Sequence, residues 1–148
     1  MIYFDSTYLG RLYLQEPGSV EVRRLAAARG VVACCELGQA EVASILHRKL
    51  REGTMSADDH AERAAQLEDD ILQGTLDWLP LTPSLLAKVR QTFATLPSTI
   101  FLRAADAIHL VCARESGFQE VHTNDRHMLA AAPHFGLQGA NVIPPPVP

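Results

Sequence analysis

The chain predicts an α/β fold with a mainly parallel central sheet, and two features lead there. Short apolar runs of strand length alternate with longer segments whose apolar residues recur at helical spacing. Strands separated by helices must be joined by crossovers, and crossovers place helices on both faces of parallel strands. The composition agrees: hydrophobic residues make up 47% of the 148 and charged residues 20%. That is enough apolar material for one buried core and too much for a disordered chain.

Ile2-Tyr3-Phe4 reads as a buried strand ending at Asp5. Thr7 to Leu14 follows as a helix, with Leu9, Leu12 and Tyr13 on one side. Pro17 and Gly18 break it. Ser19 is expected to cap a second helix that runs through Arg29 and stops at Gly30. Val31 to Cys35 is a second strand, and Leu37 to Arg51 a third helix closed by Gly53. Ser56 and Asp59 resemble a capping box with Asp in place of Glu, opening a helix to about Gln73, stopped by Gly74. Trp78 to Leu81 is a short strand whose Pro80 favours a strand end or a sheet edge. Thr82 followed by Pro83 starts a helix to about Leu96. Arg103 to Glu115 is helical and ends at Gly117. Glu120 to Thr123 is a strand, a helix follows Asp125, and Gly139 to Ile143 is a last short strand. The expected organisation is one domain over residues 1–143 with a loose, extended proline-rich tail over 144–148.

The formal charge is −4, from 17 acidic against 13 basic residues. Such a chain does not attract polyanions by bulk charge, so a nucleic-acid substrate would need a metal and a local basic patch. Cys34, Cys35 and Cys112 form no disulfide framework and no Cys-x-x-Cys pair, and are expected as buried small side chains in a reducing compartment. No signal-peptide pattern precedes Ile2, and no apolar stretch reaches the ~18 residues of a membrane span. The expected location is the cytoplasm. There is no Gly-x-Gly-x-x-Gly, no Walker-type loop and no His-Glu-x-x-His.

Four acids stand out by context. Asp5 ends the first strand, and open parallel sheets bind ligands beyond the carboxyl ends of their strands. It could equally cap the following helix. Asp106 interrupts a segment, 104–113, that is otherwise apolar but for His109; a buried carboxylate there must be paired, protonated or bound to metal. A salt bridge to Arg103 is the alternative. Glu41 edges the apolar stripe of its helix, where an ordinary ion pair or a solvated carboxylate would also serve. Asp125 follows a strand end and could be a helix cap. Four carboxylates converging in one parallel sheet would repel strongly, and a hard divalent cation relieves that repulsion. His109 stands three residues after Asp106, able to reach that carboxylate or a substrate, though a satisfied core histidine is the simpler reading. His122, His127 and His134 read as surface or packing residues.

The sequence resembles the PIN-domain nucleases, most closely the VapC-type toxins of bacterial toxin–antitoxin systems. Four segments carry the likeness: MIYFDST from Met1, CELGQAEVA from Cys35, LRAADAIHL from Leu102, and VHTNDRHML from Val121. The resemblance implies a three-layer α/β/α PIN-like fold. It makes Asp5, Glu41 and Asp106 ligands of Mg2+ or Mn2+, with Asp125 a more variable fourth acid that holds a second metal or positions water. Ser6 and Thr123 match hydroxyl positions that orient the acids, and Glu36 falls too early in its motif. Cys34 and Cys35 stand where the family more often has Ser or Thr. The implied activity is endoribonuclease hydrolysis of RNA, leaving 5′-phosphate and 3′-hydroxyl ends. The implied partners are a VapB-type antitoxin, whose tail wraps a groove and can place an Arg near the acids, and a second copy in a homodimer.

Single-stranded or looped RNA suits a cleft best. Arg11, Arg23, Arg24, Arg48, Lys49 and Arg51 are the candidate phosphate contacts, against the reading that they merely solvate helix faces. Leu9, Leu12, Tyr13 and Leu14 could line a partner groove or simply pack the core. Two phosphoryl-transfer rivals fail on spacing. A haloacid dehalogenase-like phosphatase needs a second Asp where Thr7 stands, and a receiver domain needs a lysine after a late strand, which neither Lys49 nor Lys88 supplies. The remaining alternative is a catalytically degenerate PIN scaffold that binds protein or RNA without cutting.

Overall fold

The computed structural model describes residues 1–145. Its elements run β1 (Ile2–Phe4), α1 (Ser6–Tyr13), α2 (Ser19–Arg29), β2 (Val32–Cys35), α3 (Leu37–Arg51), α4 (Ala57–Gln73), β3 (Asp77–Leu79), α5 (Pro83–Thr95), α6 (Ala104–Glu115), β4 (Glu120–His122) and α7 (Arg126–Ala131). A 3-10 turn (Ala132–Phe135) and β5 (Gln138–Ala140) follow. The strands form one sheet in the order β3-β2-β1-β4-β5, and every pairing is parallel. The expected α/β class is therefore what is observed.

The strand residues sort by parity. Ile2, Phe4, Val32 and Cys34 face one side and pack with Tyr8, Leu9, Val22, Val42 and Leu46 of α1, α2 and α3. Tyr3, Cys35 and Val121 face the other, against Leu85, Val89, Leu110, Val111 and Met128 of α5, α6 and α7. Period-two alternation thus divides the apolar residues into two cores, one under each helical layer. All three cysteines are free and buried, as expected.

The chain builds β1, β2 and β3 outward in one direction and then returns to add β4 and β5 on the opposite side of β1. The strand order reverses between β1 and β4. In open α/β sheets the crevice at such a reversal, beyond the carboxyl ends of the strands, is where ligands bind. Pro80 sits just past β3, and β3 is an edge strand.

Several local expectations need correction. Gly18, not Ser19, is the N-cap of α2; its φ of 89° suits glycine, and Ser19 instead accepts a hydrogen bond from the Glu16 backbone at 3.2 Å. Asp59 does not reach back to the Ser56 amide as a Glu would. Its shorter carboxylate accepts from the Ser56 hydroxyl at 2.6 Å, while the Asp59 amide donates to that same hydroxyl. Arg103 is the extended cap before α6 and not its first turn. The last strand is Gln138–Ala140 and not 139–143. Pro144 and Pro145 take no regular structure, and the rest of the expected tail, 146–148, lies outside the described residues. No described helix is long and apolar enough to cross a membrane.

Candidate active site

Asp5 lies at the strand reversal. It is the residue after β1, its amide donates to the His122 carbonyl of β4 at 3.1 Å, and it is 3% exposed. It caps α1 by accepting from the Tyr8 amide at 2.9 Å, so the capping role weighed from sequence is real. It also accepts from Thr7 Oγ1 at 2.8 Å and from Thr123 Oγ1 at 2.5 Å. Burial raises its pKa, opposed by the donors Thr123, Tyr8 and Thr7 and by nearby His109.

Asp125 is held from the same hydroxyl: its amide donates to Thr123 Oγ1 at 3.0 Å. Its Oδ1 caps α7 by accepting from the His127 and Met128 amides. Its Oδ2 accepts from Arg103 Nη2 at 2.5 Å. The same guanidinium donates through Nε to Asp106 Oδ2 at 2.9 Å. The ion pair to Arg103 weighed for Asp106 therefore exists, but it is shared with Asp125. Asp106 is also less enclosed than its apolar segment implied, its side chain being 14% exposed at the open first turn of α6.

Glu41 joins from α3. His109 Nε2, three residues after Asp106, donates to Glu41 Oε2 at 2.7 Å, and its Nδ1 pairs with the Tyr3 hydroxyl at 2.9 Å. Burial opposes a charge on His109, but the Cys34 thiol and the Glu41 carboxylate beside it outweigh burial and hold its pKa well above the usual imidazole value. His109 is thus a satisfied core histidine, and it serves Glu41 rather than Asp106. Glu36 points elsewhere, accepting from the Leu81 amide at 3.0 Å.

Three of the four acids consequently belong to one bonded network, in the order Asp5, Thr123, Asp125, Arg103, Asp106; Glu41 is held separately by His109, one turn along α6 from Asp106. The connections are bridging groups and not mutual ligation. Among the described residues no three His, Cys, Asp or Glu side chains stand close enough to hold one ion.

A family model for the PIN domain matches residues 2–133. The chain belongs to the PIN-domain family. Solved structures share the fold at low identity. VapC20 of Mycobacterium tuberculosis, described as a sarcin–ricin-loop-cleaving toxin, superposes with a TM-score of 0.70 at 17% identity, covering 88% of this chain and 95% of that one. FitAcB from Neisseria gonorrhoeae gives 0.65 at 19% identity, covering 94% and 96%. VapBC2 from Rickettsia felis, bound to a fragment of its promoter DNA, gives 0.60 at 14%, covering 95% and 98%. Comparison with curated protein sequences finds no match.

Sequence reasoning about this PIN domain missed Thr7, Asn124 and Tyr3. Thr7 takes the contact expected of Ser6: it bonds Asp5 and also Asn124 Oδ1 at 2.8 Å, whereas Ser6 makes no such bond among the described residues. The chain carries a hydroxyl at both positions, and only the start of α1 decides which one faces Asp5. His122 is buried between Phe4 and Tyr8, with Nε2 2.8 Å from Glu120.

The basic candidates divide. Arg11 is tied to the Thr7 and Pro17 carbonyls, Arg23 to the Leu12 and Leu14 carbonyls, and Lys49 to Glu16. Arg24, Arg48 and Arg51 are exposed and make no ion pair among the described residues. Arg48 borders a cavity of about 190 Å³ that reaches Thr7 and Asn124, beside Asp5. Of the possible groove residues, Leu9, Tyr13 and Leu14 are buried core and Leu12 packs against them, as the core-packing alternative expected; Tyr13 and Leu14 also border a cavity of about 280 Å³ with Lys49, Met55 and Arg63.

The donor chemistry fits a hard divalent cation, because every candidate ligand offers carboxylate oxygen. Arg103 makes the same point structurally: a cation already stands where Asp106 and Asp125 meet. Its side chain is 60% exposed, so withdrawing it into water costs little.

Proposed function

We propose that this PIN domain is a metal-dependent endoribonuclease, the toxin of a VapBC-type pair, acting in the cytoplasm. The observation that carries the reading is the network joining Asp5, Asp125 and Asp106 at the reversal between β1 and β4, with Glu41 fixed by His109 one turn along α6 from Asp106. Asp5, Glu41 and Asp106 would hold Mg2+ or Mn2+, and Asp125 would hold a second ion or orient water. When bound, the metal supplies charge neutralisation at the scissile phosphate and a more acidic water.

The chain's own groups do the rest. Thr7 and Thr123 keep the Asp5 oxygens aimed and partly offset the effect of burial on its charge. His109, fixed by Tyr3, sets the rotamer of Glu41. Asp125, locked by the α7 amides, leaves its second oxygen for water or metal once Arg103 withdraws. The guanidinium of Arg103 can then meet a phosphate oxygen, and Arg48 borders the cavity reaching Thr7 and Asn124, where the flanking backbone would lie. Looped or single-stranded RNA suits this cleft, in line with the loop that VapC20 is described as cutting. A VapB-type antitoxin and a second copy of the chain are the proposed partners, and the cavity bordered by Tyr13 and Leu14 is a candidate groove for the antitoxin.

The pairing of Arg103 with Asp106 and Asp125 favours one other reading, a scaffold whose acids are permanently neutralised and which binds without cutting. Cleavage of a mixed RNA pool separates the two. The nuclease reading expects cutting that EDTA stops and Mn2+ restores, and that Asp5→Asn and Asp106→Asn each abolish in folded protein. Metal-independent cleavage, or undiminished cleavage by either variant, contradicts it.

A further inference from the structure

Four residues before α6 alternate in and out. Ile100 and Leu102 pack against the core, while Phe101 and Arg103 face solvent. In an extended backbone, residues two apart project to the same side, about 7 Å apart. Phe101 is 59% exposed and has no place in either core. Its ring stands 4.6 Å from that of His127, tilted by 57°. The His127 amide is bonded to Asp125, and Arg103 binds the other oxygen of the same carboxylate. Arg126 Nε reaches His127 Nε2 at 3.3 Å. An exposed aromatic face thus stands at the lip of the acid network, flanked by two guanidinium groups and an imidazole.

From this arrangement we infer that Phe101, backed by His127, is a stacking platform for one unpaired nucleobase beside the scissile phosphate. The inference rests on the ribonuclease reading and adds a base subsite to it. Unstacked bases bind aromatic rings in a sequence-tolerant way, and arginines beside the ring suit the attached phosphates. A polyanion is a better occupant than a second protein chain, because the exposed ring lies near the guanidinium groups of Arg103 and Arg126. His127 packs against one side of the ring and leaves the rest of it open to a base.

The test is equilibrium binding of fluorescein-labelled decauridine RNA, in calcium with cleavage checked to be absent. A fully abasic strand of the same length and charge is the control. Phe101→Ala should weaken binding of decauridine by about 5- to 150-fold. It should leave the abasic strand unaffected, and Phe101→Trp should retain wild-type affinity. Thermal unfolding of both variants should match wild type, since the ring is outside the cores. Unchanged affinity in Phe101→Ala, or equal loss on both strands, overturns the base subsite alone. So does dissociation of a dimer with per-chain affinity unaltered, which would assign the ring to a second copy. Failure of the wild type to bind either strand overturns the ribonuclease reading and the subsite with it.

Discussion

Arg103 is where charge is decided residue by residue. One guanidinium pairs with Asp106 and Asp125 together, and it does so from an exposed position where each ion pair is worth roughly 0.2–1 kcal/mol. A divalent ion entering the network must displace those pairs. Arg103→Ala should therefore tighten Mn2+ binding by roughly 2- to 30-fold, while weakening RNA binding because a phosphate contact is lost. Calorimetric Mn2+ titration beside RNA binding checks both, and a variant that binds the metal more weakly would show that Arg103 organises the acids instead of competing with the ion. The acids could be picked out from sequence because each breaks a pattern: Asp5 ends an apolar run, and Asp106 interrupts an apolar helix. Thr7, Asn124 and the bond from Arg103 to Asp125 could not. Their roles come from contacts across more than a hundred residues or between loop ends, such as Thr7 with Asn124, and no local spacing records those.

At the scale of elements, α3 must approach the sheet closely to deliver Glu41. Gly38, three residues before Glu41, makes that approach possible: a Cβ there would lie 2.5 Å from Cys34 Sγ, with Trp78 and Leu9 also within contact distance. Gly38→Ala should cost about 1–3 kcal/mol through overpacking, read by chemical denaturation, and should lower cleavage further than stability alone explains as Glu41 shifts. Equal stability of the variant would mean that Cys34 can yield. Strand and helix positions were readable because apolar spacing and the breakers Gly74, Gly117 and Pro83 act locally. The misjudged boundaries were those set by a neighbour's geometry. Gly18 caps α2 in a left-handed conformation that Ser19 would not favour, and β5 is bounded by its pairing with β4.

Across the whole molecule, the reversal of strand order gathers groups from both ends of the chain into one crevice, and it does so in a protein of net charge −4. Attraction for RNA must then be local. Arg48, exposed beside the cavity that reaches Thr7 and Asn124, should contribute one phosphate contact. Arg48→Ala should reduce the salt slope of RNA binding by about 0.7. Arg23→Ala, which removes only carbonyl contacts within the fold, should leave the slope alone; an unaltered slope in the Arg48 variant would take the RNA off this path. The parallel sheet and its layers followed from the alternation of elements, whereas the convergence of distant acids depends on strand order, which one sequence does not state. That convergence is tested most directly by calorimetric titration of Mn2+ into wild type and Asp106→Asn. Saturable binding by wild type that weakens at least tenfold in the variant is the predicted result. No saturable binding, or identical isotherms for the two proteins, would contradict a metal site built from these carboxylates.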